Sequence, residues 1–375
     1  MTRRTATRAQ KGASVAQLDR ISNDCERPRA SRRAIPKPLA LLFGLGFALA
    51  CRRPAEGEDA SANSAGLRAA KRVPGHHDQP VAESLGASSP GLGHGAEGLW
   101  LAWMRDLGEP TLLVANLAEG EGWSEPVVVS SGPRLVVNWA DVPAVAETPS
   151  GRLVVAWPEL HTDDPAGGYG LRIAAANDDG SFSPDRQWSP DGVRRGPESG
   201  FASFIDTPEG LWLVWLDGRE LGGHGGHGDD GHANGGAGTM QLRAARIDDD
   251  GQQLGPSTIL DPRTCECCKL GAAAFRGRPL VAYRDRSEAE VRDVFVAGPG
   301  LPPRAVASDG WTLTGCPVNG PAVAAGPSQA WVGWYTGAEQ RSATWIASTT
   351  ITATVLDATS ADVPAGDPPR RLITP

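Results

Sequence analysis

Five times along the chain a turn residue is followed by an alternating apolar strand that closes on an aromatic side chain. The copies are GLWLAWM (98–104), GRLVVAW (151–157), GLWLVWL (210–216), GRPLVAY (277–283) and AWVGWY (330–335). Their closing aromatics, Trp103, Trp157, Trp215, Tyr283 and Trp334, lie 54, 58, 68 and 51 residues apart. That interval is one supersecondary unit repeated. Short alternating runs punctuated by 47 Gly and 31 Pro, with no sustained 3.6-residue stripe after residue 60, predict an all-β chain. The expected fold is a β-propeller with five visible four-stranded blades.

The strands of the first blade are expected within 85–95 and at 99–104, 111–117 and 125–130. Those of the second fall at 142–147, 152–157, 170–176 and near Trp188, and of the third at 200–205, 211–216, 240–247 and 257–260. The fourth blade reads as 271–275, 280–283, 291–297 and 304–307, and the fifth as 320–325, 330–335, 344–349 and 351–356. Neighbouring strands of a blade run antiparallel. Loops that enter an inner strand therefore share one face, here the first face, with loops joining second to third strands. Turns joining third to fourth strands share the other.

The N-terminus reads as an export signal. Residues 1–51 hold ten Lys/Arg against three Asp/Glu, and an apolar stretch at 38–50 follows Arg32, Arg33 and Lys37 and ends at Cys51. This order resembles a bacterial lipoprotein signal, which implies lipidation of Cys51, a membrane partner through the lipid anchor, and a cell-envelope location. Plain cleavage with secretion is the alternative. Residues 52–95 read as a flexible tether that includes the first inner strand at its end, 96–356 as the propeller, and 357–375 as a Pro/Asp-rich tail. Beyond residue 51 the net charge is −15, which disfavours nucleic-acid binding.

Unusual residues sort to the first face. Asp141, Glu198 and Asn319 precede inner strands, and second-to-third loops carry Asp217, Arg219 and the cluster Arg284, Asp285, Arg286, Arg292 and Asp293. Such a cluster is equally an ion-pair network or an anion site, and with Arg219 and Asn319 it is the candidate ligand-binding set. Asp141, Glu198, Asp217 and Asp285 are the candidate carboxylates for glycoside hydrolysis.

Cys265, Cys267 and Cys268 precede the fourth inner strand and Cys316 the fifth. Aligning 271–275 with 320–324 makes Cys267 and Cys316 equivalent positions of neighbouring blades. Four cysteines in an oxidising compartment imply disulfides, most simply Cys316 with Cys267 or Cys268. Thiolate binding of Zn or Cu is the alternative, to which His224, His227 and His232 of the glycine-rich loop 222–236 would contribute.

The run DPRTCECC (261–268), AYRDRSEAEVRD (282–293) and GCPVNGP (315–321), with turns at 177–180 and 248–251 that keep Asp-x-Gly, resembles exported bacterial members of the sialidase-like, BNR-repeat propeller superfamily. The resemblance spans about 95–349. It implies a propeller that binds a glycan or another small ligand on the first face, or else a glycoside hydrolase of the exo-sialidase type. It also implies six blades, of which the last is lacking or incomplete here. The superfamily's arginine trio and Tyr nucleophile have no matching segments, and the chain's tyrosines are Tyr169, Tyr283 and Tyr335. An envelope metal-binding protein is the remaining alternative.

Overall fold

The computed structural model describes residues 81–96, 98–118, 122–161, 168–192, 199–221, 239–340, 343–349 and 370–371. They form five four-stranded antiparallel sheets, each meandering from the inside outward. Blade one holds β1 (Ala87–Gly95), β2 (Gly98–Asp106), β3 (Pro110–Ala118) and β4 (Val127–Ser131). Blade two holds β5 (Ala144–Glu147), β6 (Leu153–Leu160), β7 (Tyr169–Ala175) and β8 (Arg186–Gln187), and blade three β9 (Ser199–Thr207), β10 (Gly210–Asp217), β11 (Gln241–Ile247) and β12 (Gln253–Asp261). Blade four holds β13 (Gly271–Phe275), β14 (Arg278–Arg284), β15 (Val294–Gly298) and β16 (Leu301–Ala305). Blade five comprises β17 (Ala322–Ala325), β18 (Ala330–Thr336), β19 (Ala343–Thr349) and β20 (Arg370–Arg371).

The inner strands β1, β5, β9, β13 and β17 lie side by side in chain order. Their approach is close enough that a Cβ on Gly93 would collide with the Val145 carbonyl oxygen, and one on Gly320, just before β17, with that of Lys269. Only glycine fits at such a crossing.

The five repeated aromatics occupy one structural position. Each follows a residue paired across the inner strand by small side chains or glycine: Ala102 with Gly91, Ala156 with Ala144, Val214 with Ser203, Ala282 with Gly271 and Gly333 with Ala322. In blades one and three the inner strand bulges opposite the aromatic, at Ser89 and Phe201, both with positive φ. All five rings are buried, and four of them share a core cluster with the preceding blade. Trp157 packs with Met104 and Val114 of blade one, Trp215 with Leu171 and Ile173 of blade two, Tyr283 with Leu242 and Ala244 of blade three, and Trp334 with Val294 and Val296 of blade four. Trp103 has only the small cluster of Leu113, Ala115, Val81, Leu101 and Trp123. Among the described residues there are four inter-blade cores for five blades.

The outer strand expected at 351–356 lies outside the described residues. The outer edge of the last sheet is instead β20, which pairs Arg371 with Trp345 and Arg370 with Ile346. Within the Pro/Asp-rich stretch 357–375, Arg370 and Arg371 are the described residues. An edge strand buries no second face, so it carries little apolar pattern to betray it. Cys51 also lies outside the described residues. In the third-to-fourth turns Gly180 and Gly251 adopt positive φ, and Asp248 Oδ1 accepts the N–H groups of Asp250 (3.0 Å) and Gln252 (2.7 Å). These acidic residues shape turns, as expected of them.

Candidate functional site

Two first-face loops meet where blades four and five adjoin. The β12–β13 loop is pinned to its neighbours by Thr264 N–H on the Met240 carbonyl (2.9 Å) and Cys265 N–H on the Arg284 carbonyl (3.0 Å). The β16–β17 loop is held by Arg284, whose guanidinium donates to the carbonyls of Asn319 (3.0 and 3.1 Å), Tyr335 (2.8 Å) and Arg292 (2.5 Å) and lies 4.9 Å from the Trp311 ring centroid. Four cysteines converge as a result. Cys267 and Cys316 are disulfide-bonded with Cα atoms 6.2 Å apart, as the blade alignment implies. Cys265 and Cys268 are free and buried, with Sγ atoms 3.2 Å apart, and Cys265 Sγ is 3.8 Å from Cys267 Sγ. All four Sγ atoms lie within 4.8 Å of one another, and only Cys316 is exposed.

Positive charge surrounds the sulfurs. Arg292 Nη1 donates to Cys265 Sγ at 3.2 Å. The hydrogen bond from Cys268, then the Cys267 backbone N–H and Arg292, outweigh burial and lower the Cys265 thiol to about 6. Cys268 is pushed up by that same bond and by burial. Burial pushes the Arg284 guanidinium down, opposed chiefly by negative charge at Cys268 and Cys265. Arg284 is 1% exposed, and among the described residues no carboxylate forms an ion pair with it. A buried charge without a counter-charge is costly.

The arginines predicted to hold a ligand are engaged internally. Arg286 pairs with Glu290 (2.8 Å) and Glu266, and Arg292 with Glu290 (2.7 Å) and Glu266 (3.3 Å). Arg219 grips Asp217 at 2.7 and 2.8 Å and Asp191 at 3.0 Å. Asp293 accepts the N–H groups of Gly310 and Trp311, both at 3.2 Å, while Asn319 Oδ1 is buried without a partner. Of the two forms such a cluster can take, the described contacts are those of an ion-pair network, completed by Glu266 and Glu290.

The candidate carboxylates differ in setting. Asp217 also accepts the Trp215 Nε1–H at 2.8 Å. Asp141 is 1% exposed, accepts the Phe201 N–H at 2.8 Å, and leaves Oδ2 unpartnered. Burial pushes its carboxyl up to about 7. Asp285 is raised to about 6 by burial and then by the negative charge of Asp261, a residue that sequence reasoning passed over. Burial raises Asp261 as well, against the Tyr283 hydroxyl that donates to it at 2.5 Å. Glu198, His224, His227 and His232 lie outside the described residues.

Comparison with protein-family models finds no match, and comparison with curated proteins finds none either. Among solved structures the chain is similar to a protein of unknown function from Dyadobacter fermentans, with a TM-score of 0.43, 11% identity, and 74% of this chain and 82% of that one covered. A thermostable family-43 glycoside hydrolase gives 0.41 and 13% over 79% and 99%. The levansucrase of Bacillus subtilis gives 0.41 and 10% over 74% and 88%. Likenesses of this order assign neither a family nor an activity, and the propeller rests on the sheets themselves.

The buried Asp141 carboxyl has a pH consequence. Its folded value lies above the unfolded value of 3.8, so the folded state binds the extra proton between about pH 4 and 7 and stability falls as pH rises through that window. Asp141→Asn should therefore gain on the wild type by up to about 4 kcal/mol at pH 8 and by little at pH 4. Urea unfolding across that range checks it, and an unchanged difference between the two proteins at both ends would contradict it.

Proposed function

We propose that the protein is an envelope-tethered β-propeller that binds one soft metal ion, Zn(II) or Cu(I), through Cys265, Cys267, Cys268 and Cys316. The observation that carries this reading is the packing of four sulfurs within 4.8 Å near Arg284, a buried cation that forms no ion pair with a carboxylate among the described residues. A tetrahedral zinc centre with bonds of about 2.3 Å needs sulfurs about 3.8 Å apart, and Cys265 and Cys267 stand at that distance. Four thiolates around a divalent ion leave two negative charges, toward which Arg284 contributes positive charge and Arg292 a hydrogen bond to Cys265 Sγ at 3.2 Å. Thiolate ligands suit zinc and cuprous ions over hard cations. Protein prepared under reducing conditions should carry about one equivalent of zinc or copper by elemental analysis, lost in Cys265→Ser. Absence of stoichiometric metal from the reduced protein would reject the site.

The tether in this reading rests on the order of basic residues, apolar stretch and Cys51. One acyl chain holds a protein only marginally, so several are needed for a stable anchor. Cys51→Ser should move the protein from the membrane fraction to the soluble fraction and abolish fatty-acid labelling. Labelling that persists would dismiss the anchor.

A second reading, favoured by Trp139, is glycan binding on the same face. Trp139 is 74% exposed in the β4–β5 loop, between Asn138, whose side chain accepts the Ala140 N–H at 2.8 Å, and Ala140, which packs toward Leu270 and Tyr283. A large exposed indole on a fixed turn is a stacking platform for the apolar face of a sugar ring. The raised pair Asp261 and Asp285 would supply acid–base chemistry if the bound sugar were hydrolysed, as in an exo-sialidase-type enzyme. Titration with sialylated and neutral oligosaccharides should give binding that weakens at least tenfold in Trp139→Ala. No difference between the two proteins would set this reading aside, and turnover of a fluorogenic glycoside would extend it to catalysis.

A further inference from the structure

The four sulfurs are not equivalent. Cys265 and Cys268 are buried, Cys267 is half-buried, and Cys316 is exposed and bonded to Cys267. The cluster thus has a sealed half and a half open to solvent. The open half holds the disulfide, while the sealed half holds two free thiols in contact at 3.2 Å. The loop that carries Cys316 is held by contacts besides that bond. Arg284 holds the Asn319 carbonyl through two donors, and Gly320 lies against the Lys269 backbone. Opening the disulfide therefore leaves both sulfurs in place rather than releasing a strand.

We propose that Cys267–Cys316 is a redox gate on the metal centre: reduced, its two thiolates complete the four-sulfur site, and oxidised, it withdraws them and the ion is released. This inference rests on the metal-binding reading above. The oxidant is a low-molecular-weight disulfide, which reaches the exposed Cys316 first. The Cys316 thiolate attacks one sulfur of the reagent and expels a thiolate, and the Cys267 thiolate then attacks Cys316 Sγ, expelling the second. One S–S bond is broken in the reagent and one is made in the protein, and two electrons pass to two small thiolates. The divalent ion departs to solvent, and Cys265 and Cys268 are left as the unligated buried pair. Atoms and charge balance on both sides.

The alternative exchange would join Cys265 to Cys268, whose sulfurs are nearer each other. Their burial shields them from a solution disulfide, whereas Cys316 is accessible. Access rather than proximity decides the first attack.

The test uses the full-length protein, reduced anaerobically with a phosphine, freed of reductant, and loaded with Zn(II) in competition with a chromophoric chelator. Oxidised glutathione is then added while released zinc, free thiols and the disulfide map are followed together. The expected result is one equivalent of zinc bound before oxidation, its complete release as two thiols disappear, and a peptide linking Cys267 to Cys316. Zinc that stays bound while the Cys267–Cys316 bond forms would overturn the gate and leave the metal site standing. A linkage of Cys265 to Cys268 would also overturn it. Reduced wild-type protein that binds no zinc would remove both, and that failure is read before any oxidant is added.

Discussion

Each blade depends on burying one large aromatic ring against its predecessor while giving the ring's polar tip an acceptor. An indole N–H or phenol O–H taken out of water must find a partner or its burial costs more than the ring gains. In four blades that partner is a carboxylate: Glu159 for Trp157 (3.3 Å), Asp217 for Trp215 (2.8 Å), Asp261 for Tyr283 (2.5 Å) and Asp309 for Trp334 (2.8 Å). The aromatic sits near the first-face end of its strand, so these carboxylates gather on that face. Arginines such as Arg219 follow them, and much of the charge that crowds there is the electrostatic consequence of the packing. Trp103 is the exception, buried with its Nε1 unpartnered and with Arg105 standing two residues on.

The repeat made most of this architecture legible. Strand positions agree closely because the turn glycines and the alternating pattern mark both ends of the second strands, and β13 falls where expected, at Gly271–Phe275. Where the boundaries move, local physics explains it. β6 continues through Pro158 to Leu160, although proline cannot donate to a ladder. The inner strand β5 pairs only as far as Ala156, and beyond it the β4–β5 loop takes over, Val136 N–H donating to the Pro158 carbonyl at 3.3 Å, so β5 itself never meets the missing N–H. The aromatic–carboxylate pairs were half visible: Trp157 with Glu159 and Trp215 with Asp217 are two residues apart in sequence. Asp261 and Asp309 reach their rings from other segments, and no local spacing reveals them.

The cysteine site was legible for the same reason as the fold. Equivalent positions in adjacent blades must be neighbours, which places Cys267 near Cys316 on the repeat alignment alone. Hidden from such reasoning was the function of Arg284. In sequence it is one of five charges in ten residues and reads as a ligand-binding side chain. In the structure it sits between two loops with three backbone carbonyls as acceptors, at the join that positions the sulfurs. Charge patterning reports that an arginine is present, and only tertiary packing decides whether its donors face a ligand or the chain itself.

Among the described residues four inter-blade cores link the five blades, each joining two blades consecutive in the chain. In repeat architectures each unit is stabilised by its neighbours. The Cys267–Cys316 bond joins the loops leading into the fourth and fifth inner strands, which makes it a rivet at one of those joins. Among the described residues blade one, whose Trp103 packs in a small cluster of its own, has no such rivet. Among the described residues, then, the join of blades four and five is fastened covalently as well as by packing, and the join of blades one and two by packing.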